Sequence, residues 1–119
     1  MAEERLKRIK FVRVVKRRPD LTQEQFKEYW LSTHSRLEDK VMESGLVRRI
    51  VASFSAGEVT GAEPPWDGMV ELYFDRTEDL QALVAGPIPE MMREDEHNFI
   101  DLSGEIVRVV MEEYTMGER

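Results

Sequence analysis

Apolar residues recur through positions 22–41 at helical spacing. At about 100° per residue, Phe26, Trp30, Thr33, Leu37 and Val41 fall within one narrow arc, while Lys27, Glu28, Leu31 and Glu38 point elsewhere. The spacing predicts a long amphipathic helix whose arc is buried. Thr22 with Gln25 three residues on has the form of a capping box, in which each side chain satisfies a backbone amide that the first turn leaves free. His34 projects just outside the stripe, beside the edge formed by Trp30 and Val41, and Tyr29 lies on the opposite shoulder.

The rest of the chain divides by period. Residues 8–17 alternate, with Ile9, Phe11 and Val15 on one side and Val12 and Val14 on the other, and predict a strand. Gly45 supplies a stop for the helix, and residues 46–54 are rich in β-branched side chains, as a second strand requires. Residues 55–67, with Gly57, Gly61, Pro64, Pro65 and Trp66, read as a long loop. From Gly68 to Asp75, Val70, Leu72 and Phe74 face one way and Met69, Glu71 and Tyr73 the other, which predicts a third strand. Thr77 reads as the cap of a shorter helix that Gly86 and Pro87 end. Residues 88–101 predict a further helix with Met91, Met92, Phe99 and Ile100 inward, and residues 105–114 a last strand.

Strand, helix, strand, strand, helix, strand is the order of a split βαβ, or ferredoxin-like, α+β unit: a four-stranded antiparallel sheet with its helices on one face. The last strand is apolar on both sides, with Ile106, Val110 and Tyr114 on one and Val107, Val109 and Met111 on the other. Helices cover only one side of such a sheet, so the second set needs another cover. A second copy of the same sheet serves, which predicts a homodimer through sheet faces.

A length of 119 residues suits one domain spanning 1–119, and 41% hydrophobic residues with few Gly and Pro argue for a globular chain. The net charge of −7 disfavours nucleic acid or an anionic membrane as partner. The basic runs at 5–8 and 16–20 are short and read as solvated strand ends. Without cysteine there is no disulfide, no thiolate chemistry and no sign of an oxidising compartment, so a cytoplasmic location is expected. The charged N-terminus lacks the apolar segment of a secretory signal, and no apolar run is long enough to span a bilayer.

Candidate chemistry narrows by elimination. His34 and His97 are the two imidazoles, and with no thiol and no helical His pair a metal site is not expected. Neither a phosphate-binding glycine loop nor a serine elbow is present. No cofactor is called for. Acid–base chemistry is left: His34 is a side chain able to exchange a proton near neutral pH, and Asp95 could orient it by accepting from one ring nitrogen. The plainer alternatives are a half-exposed surface histidine and an acidic, solvated helix face at Asp95–Glu96–His97. Tyr29, Trp30, Trp66 and Tyr73 could wall an aromatic pocket, with Met91 and Met92 as adaptable lining, although Trp30 is better read as ordinary core. Glu71, in mid-strand, is expected to pair with Arg13, Arg49 or Arg108 across the sheet.

Residues 16–34, running from the Lys-Arg-Arg-Pro-Asp strand end through Phe26 and Tyr29-Trp30 to Thr33-His34, resemble the EthD family when taken with Asp95-Glu96 and Phe99 before the last strand. By position Phe26, Trp30, Thr33, His34, Asp95, Glu96 and Phe99 match its pattern, whereas Arg36 stands where a proline is usual. The resemblance implies a dimeric α/β barrel with a hydrophobic cavity between helices and sheet in each protomer, and Phe99 beside that cavity. Relatives include lactone isomerases, polyketide cyclases and dehydratases, and monooxygenases that need no cofactor, so it implies no single reaction.

The expectation is a cofactor-independent lyase, dehydratase or isomerase acting on a small hydrophobic aromatic or polyketide-like carbonyl compound. His34 would be the general acid/base, Asp95 its orienter, and Tyr29 and Tyr73 donors to a developing oxyanion. The rivals are a non-catalytic protein that binds a hydrophobic ligand and a cofactor-free oxygenase.

Overall fold

The computed structural model describes residues 7–119; most of the charged N-terminal stretch that lacks a signal's apolar segment lies outside them. Four strands, β1 (Lys7–Val15), β2 (Arg49–Phe54), β3 (Gly68–Phe74) and β4 (Val107–Tyr114), make one sheet in the order β2-β3-β1-β4. Every pairing is antiparallel. Helices α1 (Gln23–Tyr29), α2 (Ser35–Glu43), α3 (Thr77–Ala85) and α4 (Ile88–Glu96) complete the ferredoxin-like α+β fold. Among the described residues no helix is long and apolar enough to cross a membrane.

Local chemistry sets the element ends. Thr22 accepts from the Gln25 amide at 3.1 Å and Gln25 accepts from the Thr22 amide at 2.9 Å, so the capping box forms. Gly45 ends α2 with φ of 74°, a left-handed conformation that side chains with a Cβ disfavour. Thr77 is not a cap: it is the first residue of α3, and Arg76 precedes it.

Strand alternation sorts the sheet into two faces. Phe11, Arg13 and Val15 lie opposite Leu72, Val70 and Gly68 and face the helices. Two apolar clusters form there. Val15, Phe26, Trp30, Phe99 and Ile100 make one, and Val41, Val47, Phe74, Leu80 and Leu83 the other. Gly68 is small for a reason: a Cβ there would stand 3.1 Å from both the Phe26 and Trp30 rings. Gly68→Val should therefore cost about 1–3 kcal/mol by overpacking, read as a lower urea midpoint; an unchanged midpoint would show that the two rings can move aside.

The other face joins apolar and charged groups. Lys10 reaches Glu71 and also Glu113, the latter at 2.8 Å, and the Tyr73 hydroxyl donates to Glu113 at 2.8 Å. Glu71 thus pairs with Lys10 and not with an arginine, because Lys10 stands directly opposite Tyr73 and leans along β3. Val109 and Met111 are 44% and 46% exposed on this face, while Val110, on the helix-side face of the same strand, is 52% exposed.

Candidate functional site

Between α1 and α2 the helix continues through one widened π turn, Trp30–His34. The sequence gives a local cause: the Ser32 hydroxyl donates to the Glu28 carbonyl at 2.6 Å and the Ser35 hydroxyl to the Leu31 carbonyl at 2.7 Å. Hydroxyls that bind the carbonyl four residues back compete with the backbone ladder and distort it. A π turn holds more residues than an α turn, so the side chains beyond it are rotated relative to a uniform helix. Thr33, placed inward by uniform spacing, is exposed, and Leu37 is only half-buried. His34 takes the inward position and is 4% exposed.

The ring is held on several sides. Nδ1 lies 2.8 Å from Asp95 Oδ2. The other carboxylate oxygen accepts from the Tyr29 hydroxyl at 2.6 Å and from Asn98 Nδ2 at 3.1 Å. An ionised carboxylate only accepts, so Nδ1 carries a proton and the neutral ring keeps its lone pair at Nε2. Burial acts to raise the Asp95 pKa, but the bonds from Tyr29, His34 and Asn98 outweigh it and hold the carboxyl below its usual value. Burial, with Asp95 beside it, pushes the Tyr29 hydroxyl up, which keeps it a donor. Phe99 packs on the imidazole at 4.7 Å between ring centroids, and Trp30 stands edge-on at 5.9 Å.

Beside this cluster a cleft of about 720 Å³ opens between sheet and helices. Phe11, Ile50, Val70 and Leu72 line it from the sheet, Val41 from α2, Leu80 and Leu83 from α3, and Met92 from α4. Glu38 is its carboxyl on α2, and it accepts from Trp30 Nε1 at 3.1 Å. Burial raises the Glu38 pKa, against the opposing pull of the Trp30 bond and of charge on His34. Among the described residues, no three His, Asp or Glu side chains gather where they could hold a metal ion.

The sequence-predicted residues are therefore divided. His34, Asp95, Tyr29, Trp30 and Phe99 come together. Tyr73 does not join them, because alternation puts it on the opposite sheet face, where its hydroxyl serves Glu113. Tyr29 has its one hydroxyl proton committed to Asp95, so it is not a free donor to an oxyanion. Trp66 lies under Lys16, at 5.7 Å, and lines a separate hollow of about 280 Å³ with Ile100 and Ile106. Of the two methionines expected as lining, Met92 borders the cleft, whereas Met91 is half-buried and does not. Glu38 is hidden from a sequence reading because uniform helical spacing turns it away; a pair of serines at 32 and 35 is the signal that could reveal the rotation. Arg13 and Glu96 also line the cleft, with Nη1 and Oε2 2.8 Å apart. His97 lies at the end of α4, exposed on the cleft wall.

Solved structures of other proteins share this fold. An ethyl tert-butyl ether D (EthD) family protein from Bacillus halodurans superposes with a TM-score of 0.66 at 21% identity, covering 92% of this chain and 99% of that one. A protein from Bacteroides fragilis, described as dimeric, ferredoxin-like and of unknown function, gives 0.58 at 14% identity, with 91% and 96% covered. A hydroxynitrile lyase from Passiflora edulis gives 0.62 at 10% identity, with 94% and 96% covered. At these identities the likeness is one of fold. No curated protein matches the sequence. The family model of the EthD domain, however, matches residues 18–103, a span that runs from the strand end before α1 past Asp95 and Phe99, and the chain belongs to the EthD family.

Proposed function

We propose that the protein is a cofactor-independent acid/base enzyme of the lyase, dehydratase or isomerase kind, acting on a small hydrophobic aromatic or polyketide-like carbonyl compound. The observation that carries this reading is the buried His34 whose Nδ1 is fixed by Asp95, itself anchored by Tyr29 and Asn98. That arrangement leaves Nε2 to take a proton from carbon beside a carbonyl and to return it elsewhere, or to release it as a leaving oxygen departs as water. Glu38, the α2 carboxyl of the cleft wall, is held more protonated than an ordinary glutamate and suits protonation of the carbonyl oxygen as the proton leaves carbon. The test is turnover of aromatic ketones and β-keto acids by the wild type and by His34→Gln; equal rates overturn the reading. A specific feature favours a second reading, a protein that binds a hydrophobic ligand without converting it: the cleft wall is largely apolar and His34 is not part of it. Tight binding that survives His34→Gln, with no turnover by either protein, would establish that alternative.

We infer as well that the protein is a homodimer through the sheet face that carries Val109 and Met111, as the dimeric description of the Bacteroides fragilis relative supports. Light scattering at micromolar concentration should give twice the 13.9 kDa chain mass. Val109→Lys, which sets a charge in that face, should return the protein to one chain mass, and a wild-type monomer would defeat the inference.

A further inference from the structure

Arg13 on β1 stands directly opposite Arg108 on β4, and both line the cleft. Residues so opposed share a sheet face with Cα atoms about 4.5–5.5 Å apart, and like charges in that position repel. Glu96 answers one of them: its carboxylate meets Arg13, the two side chains being 12% and 16% exposed. Among the described residues Arg108 takes part in no ion pair. Arg93 and His97 add further basic groups from α4 and its end. Arg13, Arg93 and Arg108 thus outnumber Glu38 and Glu96 along a mainly apolar cleft, in a chain whose net charge is −7. Two arginines opposed across β1 and β4 at the wall of an apolar cleft suit a planar anion, which can accept from both while its body displaces water from the aliphatic and aromatic lining.

We propose that Arg108 and Arg13 hold the carboxylate of an apolar carboxylic acid whose hydrocarbon or aromatic body fills the cleft. This deepens the proposed function and rests on the cleft being its ligand site; it adds the acidic head group and the residues that select it. Glu96 then has a positioning role: it meets Arg13 at Nη1 and leaves the remaining N–H donors of that guanidinium for the ligand.

The experiment is a calorimetric titration of the full chain with 2-naphthoate and with its neutral counterpart 2-naphthalenemethanol. The wild type should bind the acid roughly 10- to 100-fold more tightly than the alcohol, the range expected of charge-assisted hydrogen bonds. Arg108→Gln should remove about 10-fold of naphthoate affinity and leave the alcohol unaffected, and Arg108→Lys should restore part of the loss. Raising salt from about 0.05 to about 0.5 M should weaken the acid alone, a result that needs no variant. Equal affinity for acid and alcohol, an unaltered Arg108→Gln, or no binding of either compound by the wild type at millimolar concentration overturns the proposal. His34→Gln should bind naphthoate as the wild type does. Loss of turnover in that variant beside unaltered naphthoate binding in Arg108→Gln would mean that the head-group assignment fails while the proton-transfer reading stands.

Discussion

Replacing His34 by glutamine should lower kcat on any aromatic ketone or β-keto acid that the wild type converts by about 100- to 10,000-fold, the usual contribution of a positioned acid/base. KM should hardly move, because the cleft that would bind the compound is lined by other residues. Asp95→Asn gives a sharper test of how the ring is held. An asparagine can present its amide group to Nδ1, which allows the ring proton to reside on Nε2, and the lone pair is then on the wrong nitrogen. A loss of about 10- to 100-fold, in a variant that still unfolds cooperatively, would fit an orienting carboxylate. The same variant should change acid stability in a known sense. Because the folded Asp95 pKa is depressed, its contribution is fully present above the unfolded value of about 3.9 and disappears as pH falls through the lower folded value. Asp95→Asn should therefore lose some stability near neutral pH and show a smaller further loss below about pH 4 than the wild type. Wild-type turnover by His34→Gln would remove the imidazole from the chemistry.

Phe99→Ala should cost about 3–5 kcal/mol, a large share of the stability of a domain this size. Phe99 is fully buried and packs on Phe26, Tyr29, Trp30 and His34, with ring centroids 4.7 to 5.8 Å away. Its removal opens a cavity bordered by stiff aromatic side chains that cannot close on it. Thermal unfolding should come about 10–20 °C earlier, taking roughly 4 °C per kcal/mol, and Phe99→Leu should lie between the two. A shift of only a few degrees would show that the aromatic cluster collapses onto the gap. Since the same ring forms one wall of the imidazole's site, the variant should also lose turnover at temperatures where it is still folded.

How much of the fold is legible in the sequence depends on how local each signal is. The capping box at Thr22 and Gln25, the stop at Gly45 and the alternation of β1 and β3 depend on neighbours a few residues apart, and all are found in the structure. Element order then leaves few topologies, and the ferredoxin-like arrangement is the one adopted. The proximity of His34 and Asp95 is accessible because the helices that carry them pack on one side of one sheet. Tyr73 shows what happens when alternation is overridden by a grouping of aromatic residues: its strand places Val70 and Leu72 toward the cleft and Tyr73 away from it. Glu71 meets Lys10 through a strand register that no local pattern fixes. Glu38 and Thr33 are misplaced by a constant angle per residue, which one wide turn is enough to defeat.

That turn also divides the loyalties of the long helix. The half before it is rooted in the aromatic cluster through Phe26 and Trp30, and the half after it in the aliphatic cluster through Val41. His34 lies at the seam and draws its coordinates from both. Repacking beneath α3, at a residue such as Leu83 in the aliphatic cluster, would reach the imidazole only through the half of the helix that Val41 anchors, so the two clusters together set where the ring stands.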